Sequence, residues 1–185
     1  MTFKLSEKSK AALEEIKKRY PDVRSSVMPA LYLVQQELGH INDEAINYVS
    51  EEVKLSPIQV RELVTFYTMY YSKPVGKYHF QVCRTLSCAV RGSKALCEKL
   101  EEKFGVLPGQ VSKDGMFSYE QVECLGSCGT APMCQINDTY FENLTPELLE
   151  KIILRIEKEQ PNLRFSTAED KLAEGFKDLP KSRII

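Results

Sequence analysis

The sequence predicts an α/β protein with two parts, a small N-terminal helical bundle and a layer of strands and helices that follows it. Three observations lead to this prediction. Apolar residues keep helical spacing up to about Ser72 and then begin to alternate, near residue 76. The later segments follow the order β-α-β-β-β-α, and all six cysteines lie between residues 83 and 134. We therefore expect a helical bundle over 1–73, an α/β domain over 74–159 and a tail over 160–185 that is ordered mainly by a partner.

Composition and charge are those of an ordinary globular protein and exclude several classes of function. The 185 residues are 43% hydrophobic and 28% charged, which argues against wholesale disorder. Because 25 Lys and Arg face 26 Asp and Glu, the chain lacks the basic excess of a free-standing nucleic-acid binder. The longest apolar run, 27–34, is far shorter than the ~20 residues that span a bilayer. The first twenty residues show no secretory signal. We expect a cytoplasmic protein without direct membrane insertion.

Four helices are predicted in the N-terminal part, each from a start or stop signal beside an apolar stripe. The signals are a cap at Ser6 and a stop at Tyr20-Pro21, a start near Ser25-Ser26 and a stop at Gly39, a cap at Asn42, and a capping box at Ser56-Pro57. Four short helices with short connections indicate a small bundle.

The second part alternates between strand and helix patterns. The predicted elements are a strand from Tyr78 to Cys83, a helix from Arg91 to Phe104, a strand from Phe117 to Glu123, a hairpin of 133–136 and 139–142 around Asn137-Asp138, and a helix that begins at Thr145-Pro146. Alternation on the first strand predicts that His79 faces outward. Each cysteine pair is expected just beyond a strand, where loops carry chemistry.

Four cysteines form two pairs, Cys83 with Cys88 in a C-x4-C spacing and Cys124 with Cys128 in a C-x3-C spacing. Grouped cysteines in a reducing compartment bind metals or catalyse more often than they form disulfides. Four thiolates suit either zinc or an iron-sulfur cluster. Loops wider than a zinc knuckle favour a two-iron rhomb in which each pair binds its own iron. Gly126 and Gly129 would let backbone N–H groups approach the sulfurs, with a purely structural role in a tight turn as the alternative.

The remaining candidates have simpler interpretations. We expect Cys97 and Cys134 to be buried structural thiols, and the alternative is that either serves as a substitute ligand. His40 and His79 have no second histidine at ligand spacing. The chain has no dinucleotide-binding loop, no phosphate-binding loop and no C-x-x-C motif, and the last absence weakens a thiol-disulfide function. A zinc-braced interaction domain stays open as a structural alternative.

Three stretches of the sequence resemble a known family. They are Cys83-Arg84-Thr85-Leu86-Ser87-Cys88 with Arg91-Gly92-Ser93, the segment from Glu123 to Met133, and Thr65-Phe66-Tyr67-Thr68-Met69-Tyr70. Together they resemble the thioredoxin-like 2Fe-2S subunit of NADH:quinone oxidoreductase, respiratory complex I. The resemblance extends from about residue 5 to residue 158.

The resemblance implies a helical bundle followed by a thioredoxin-like 2Fe-2S ferredoxin domain. It implies one 2Fe-2S cluster, whose ligands would be Cys83, Cys88, Cys124 and Cys128. The partner would be a larger flavin-bearing subunit that binds NADH, and the cluster would exchange electrons with its FMN. The chain would then be an electron-relay subunit of an enzyme, with no substrate site of its own, in the cytoplasmic peripheral arm of a membrane-bound complex. The same kind of module also occurs in diaphorase parts of NAD-linked hydrogenases and formate dehydrogenases, so these assemblies are alternatives.

Overall fold

The computed structural model describes residues 3–164, so most of the expected tail lies outside the described residues. Within them the chain divides into two compact units, and the boundary falls between Pro74 and Val75. No helix in the described part combines the length and apolar character needed to cross a bilayer.

The first unit is helical. Its helices are α1 (Glu7–Lys17), α2 (Val27–Leu38), α3 (Asp43–Val53) and α4 (Pro57–Phe66), with a 3-10 turn over Val23–Ser26. α2 contacts each of the other three helices, and their apolar faces form one buried core. The predicted caps are confirmed at Ser6, Gly39, Asn42 and Ser56. The first helix ends earlier than predicted, at Lys17, because the chain turns there towards a second cap at Asp22.

The second unit is an α/β layer built on a four-stranded mixed sheet. Its elements are β1 (Tyr78–Cys83), α5 (Leu86–Val90), α6 (Ser93–Phe104), β2 (Phe117–Val122), β3 (Cys134–Ile136), β4 (Thr139–Phe141) and α7 (Pro146–Glu159), with a 3-10 turn over Cys128–Thr130. The strands lie in the order β2-β1-β3-β4. β1 pairs with β2 in parallel and with β3 antiparallel. The helix predicted from Arg91 to Phe104 is α6, which begins at Ser93 after Gly92 at φ 101°, and the short α5 that precedes it was not predicted.

The core of this unit lies between one face of the sheet and the helices α6 and α7, which contact each other. Tyr78, Phe80 and Val82 of β1 are at most 1% exposed and pack in this core. α7 contributes an apolar stripe that includes Leu149 and Ile153. The sheet and its helix layer therefore hold the ends of β1 and β2, where the cysteine pairs begin.

The prediction that His79 faces outward is wrong. His79 is 2% exposed, and all six residues of β1, which lies between β2 and β3, are buried. The imidazole is held by hydrogen-bonding partners, with Nδ1 2.8 Å from Ser118 Oγ and Nε2 3.1 Å from Glu120 Oε1. Gln81 donates to the same carboxylate oxygen at 2.8 Å. The hydrogen bond from His79 is the main cause that lowers the pKa of Glu120. A polar strand face is buried here because its groups satisfy one another.

The first residues beyond α7 contact the sheet. Leu163 is 1% exposed, and its carbonyl accepts hydrogen bonds from the backbone N–H of Asp138 and the hydroxyl of Thr139. The Tyr78 hydroxyl donates to the carbonyl of Pro161 at 2.9 Å. The start of the expected tail therefore packs on this same unit, as far as the described residues reach.

Replacement of Gly76 by Ala is expected to destabilise the α/β unit by about 1–3 kcal/mol. A Cβ at this position would lie 2.5 Å from the carbonyl carbon of Phe117 and 2.7 Å from the backbone N of Ser118, so β2 must shift. The shift would also disturb the hydrogen bond from Gly76 N–H to Ser118 Oγ. Urea unfolding followed by circular dichroism measures the loss. Lys73→Ala, at an exposed position nearby, should stay within about 0.5 kcal/mol of the parent protein; equal values for the two variants would contradict the close approach.

Candidate metal centre

The first cysteine pair spans the turn from β1 into α5. Cys83 is the last residue of β1, and its backbone N–H contacts the carbonyl of Met133 at 3.4 Å. Thr85, with extended backbone, begins the short helix that carries Cys88. Both thiols are 1% exposed and lie in a small apolar cluster with Ala131 and Met133. The strand and the helix therefore fix this pair in the interior.

The second pair lies on the loop that follows β2, and both of its cysteines are exposed. The Sγ atoms of Cys124 and Cys128 are 3.4 Å apart. Gly126 donates its backbone N–H to Cys124 Sγ at 3.4 Å, in a conformation with φ 82° that side chains rarely adopt. The expected approach of a backbone N–H to a sulfur is thus present at this glycine.

The two loops meet, because Leu125 of the second loop packs against the apolar cluster that contains Cys83 and Cys88. Polar groups of the two loops also interact with thiols of the opposite loop. The hydroxyl of Thr85 lies 3.2 Å from Cys83 Sγ and also interacts with the thiol of Cys124. The hydroxyl of Ser87 interacts with the thiol of Cys128. In the opposite direction, the backbone of Leu125 interacts with the thiol of Cys83. The structure therefore brings together all four cysteines that the sequence singles out.

Within each pair the two thiols have opposite pKa shifts. Donation from Gly126 N–H and contact with Cys128 lower the pKa of Cys124, whereas the neighbouring Cys124 raises the pKa of Cys128. For the inner pair, burial and the neighbouring Cys83 raise the pKa of Cys88 to about 11. Burial also opposes ionisation of Cys83, but hydrogen bonds led by that from Thr85 outweigh it and lower the pKa. Each pair thus holds one thiolate readily and gives up its second proton with difficulty, as expected for thiols that share one site.

The donor set fits a two-iron cluster better than one zinc ion. Zinc needs four sulfurs within about 2.3 Å of one point. The thiols form two pairs with a contact inside each, Cys83 with Cys88 and Cys124 with Cys128. A two-iron rhomb takes one pair on each iron and accepts N–H donors at its sulfurs.

The other two cysteines lie away from this centre, in the apolar core between the sheet and its helices. Cys97 on α6 is 6% exposed, and burial together with Glu101 and Glu98 raises its pKa to about 11. Cys134 on β3 is fully buried, which raises its pKa strongly. Both thiols are therefore buried in the core, as the sequence predicts. His40 Nδ1 lies 3.3 Å from the carbonyl of Leu38, in the turn that ends α2.

Sequence reasoning missed the polar residues that surround the thiols. Thr85 and Ser87 lie inside the C-x4-C spacing, so their position in that motif could have drawn attention to them. Glu142 could not have been found in this way. It lies 14 residues beyond Cys128 in the chain, yet its carboxylate accepts hydrogen bonds from Ser127 and Thr130 beside that cysteine.

Comparison with known proteins identifies the family. A sequence model of the thioredoxin-like [2Fe-2S] ferredoxin family matches residues 13–157. A protein of Rickettsia bellii that is named as a subunit of NADH-quinone oxidoreductase is 44% identical over 154 residues, which cover 82% of this chain and 92% of that protein. The NADH-quinone oxidoreductase subunit 2 of Thermus thermophilus is 45% identical over 144 residues, or 76% of this chain and 80% of that protein.

One solved structure adds agreement in fold. A chain of an NAD+-reducing [NiFe]-hydrogenase in the H2-reduced state superposes with a TM-score of 0.62. The alignment covers 79% of this chain and 25% of that chain at 21% identity, so it bears on the fold alone. The family to which the sequence belongs is shown instead by the family match and by the two relatives of 44% and 45% identity. The chain therefore belongs to the thioredoxin-like [2Fe-2S] ferredoxin family, as a relative of proteins that are named as subunits of NADH-quinone oxidoreductase.

Proposed function

We propose that this protein is an electron-carrying subunit of an NADH-quinone oxidoreductase and holds one 2Fe-2S cluster. The proposed ligands are Cys83, Cys88, Cys124 and Cys128. The observation that carries the proposal is the meeting of two cysteine pairs from two separate loops, in a chain of a [2Fe-2S] ferredoxin family. Relatives at 44% and 45% identity that are named as such subunits support the assignment to this enzyme.

The residues around the thiols suit an electron carrier. A bound 2Fe-2S cluster supplies a site that gains and loses one electron without a change of ligands. The N–H of Gly126 points at a sulfur, where it stabilises added negative charge. The inner pair lies at the end of β1 and in α5, and this regular structure would keep its movement on reduction small. The exposed outer pair lies at the protein surface, where a partner can approach.

We further propose that the electron donor is FMN on a larger partner subunit that also binds NADH. The sequence has no dinucleotide-binding or phosphate-binding loop of its own, which supports a nicotinamide site on another chain. This chain and its partner subunit would lie in the cytoplasmic peripheral arm of the membrane-bound enzyme. A diaphorase part of an NAD-linked hydrogenase or formate dehydrogenase would use the chain in the same way, and the proteins that copurify with it distinguish these assemblies.

The anaerobically purified chain is expected to contain about two irons and two sulfides, with an EPR signal that appears on reduction by dithionite. Replacement of any of the four proposed ligands by Ala should remove the full cluster, since one iron then lacks a thiolate. Iron, sulfide and zinc analysis with visible absorption measures this.

Cys97→Ala is the matched control, because it removes a thiol from the same unit and leaves the four proposed ligands intact. It should keep the wild-type iron content and visible spectrum. A complete cluster in the Cys128→Ala variant would overturn the ligand assignment. Stoichiometric zinc without a chromophore, persisting after attempted cluster reconstitution, would favour the zinc-braced interaction domain instead.

NADH is expected to reduce the cluster only when the flavin-bearing subunit is present, because the isolated chain has no proposed site for the nicotinamide. Freeze-quench EPR after mixing with NADH compares the isolated chain with the two-subunit complex, with dithionite as the positive control in both. Reduction by NADH at the same rate in the isolated chain would contradict the assignment of the donor. So would a flavin-loaded complex in which the cluster stays oxidised.

A further inference from the structure

The loop that carries Cys124 and Cys128 has little regular structure to hold it. Its regular part is the short 3-10 turn over Cys128–Thr130, and both thiols are exposed. Backbone hydrogen bonds anchor the end of the loop, where the carbonyl of Thr130 accepts from the N–H of Asn143 at 2.7 Å. Earlier in the loop, hydrogen bonds from side chains of the same unit hold the chain, so the thiol positions depend on those side chains.

Two of these side chains come from the β3–β4 hairpin. Glu142, the residue after β4, accepts hydrogen bonds at Oε1 from the hydroxyls of Ser127 and Thr130, the latter at 2.7 Å. The two hydroxyl oxygens are themselves 2.6 Å apart. Tyr140 donates its hydroxyl to the carbonyl of Leu125 at 2.9 Å. Hydrogen bonds from the hairpin thus hold the loop at residues between the two cysteines and again just beyond Cys128.

The contact with Glu142 differs from that with Tyr140 in its charge. Hydrogen bonds to a carboxylate are stronger than those between neutral groups, so Glu142 is well suited to fix the residues on both sides of Cys128. The same carboxylate places a negative charge beside Ser127, which directly precedes Cys128. A nearby negative charge disfavours the addition of an electron to an anionic cluster, which lowers its reduction potential.

We propose that Glu142 is a positioning residue for Cys128 with two effects: it holds the loop through Ser127 and Thr130, and its charge lowers the reduction potential of the cluster. This inference rests on the proposed function for the second effect. The first effect belongs to the protein chain and is present without any cluster.

Four variants separate the two effects. Glu142→Ala removes both the acceptor and the charge, and Glu142→Gln keeps an acceptor oxygen but removes the charge. Tyr140→Phe loosens the same loop without a change of charge. Glu159→Gln removes a carboxylate that pairs with Arg155 in the last turn of α7 and takes no part in holding the loop, so it is the matched charge control.

Hydrogen-deuterium exchange of the apo chain tests the hold on the loop. Peptides that contain residues 124–130 should exchange about tenfold faster in Glu142→Ala, which corresponds to the loss of roughly one charge-assisted hydrogen bond. They should exchange at a rate between wild type and Glu142→Ala in Glu142→Gln, which keeps an acceptor oxygen without the charge, and should be unchanged in Glu159→Gln. Wild-type exchange in Glu142→Ala, with the remainder of the unit equally protected, would overturn the positioning role.

An EPR-monitored redox titration of the reconstituted chain tests the charge. Glu142→Gln should move the potential in the positive direction, while Glu159→Gln leaves it unchanged. An unchanged potential in Glu142→Gln, or an equal shift in Tyr140→Phe, would overturn the electrostatic role. If the wild-type chain takes up no iron, the proposed function fails, and the exchange experiment still decides whether Glu142 holds the loop.

Discussion

The parallel pairing of β1 with β2 brings the two cysteine pairs together, and the centre depends on it. Cys83, the last residue of β1, lies opposite Val122, the last residue of β2. Because parallel strands end at the same edge of a sheet, the loops that follow them start side by side. Cys124 emerges two residues beyond Val122, next to the turn that carries Cys88. A change in this register would separate the two loops, and neither pair of thiols would then lie beside the other pair.

The sheet can fix this register because the side chains on one face are packed in the core and those on the other face are hydrogen-bonded. One face of β1 packs Tyr78, Phe80 and Val82 against the helices. The other face joins His79 to Ser118 and Glu120 of β2, and these hydrogen bonds depend on the observed pairing. A slip by one residue would move polar groups into the apolar core and apolar groups out of it. The polar network therefore specifies the alignment as well as filling space.

Much of this architecture could be predicted from the sequence because the relevant information is local. Helix caps such as Asn42 and Ser56, and the hairpin turn at Asn137, depend on residues within a few positions of one another. Cysteine spacing is local in the same sense, so four candidate ligands could be named. Burial of His79 could not be predicted, since strand alternation does not reveal which strand is central or what lies opposite it. The contact between Glu142 and Ser127 was missed for a related reason, because only the folded hairpin brings them together.

The different burial of the two pairs gives the proposed centre an inner and an outer side. Cys83 and Cys88 are each 1% exposed within an apolar cluster, whereas Cys124 and Cys128 face solvent. Oxidants, chelators and alkylating reagents would therefore meet the outer thiols first, and damage to the centre would begin at one iron rather than at both.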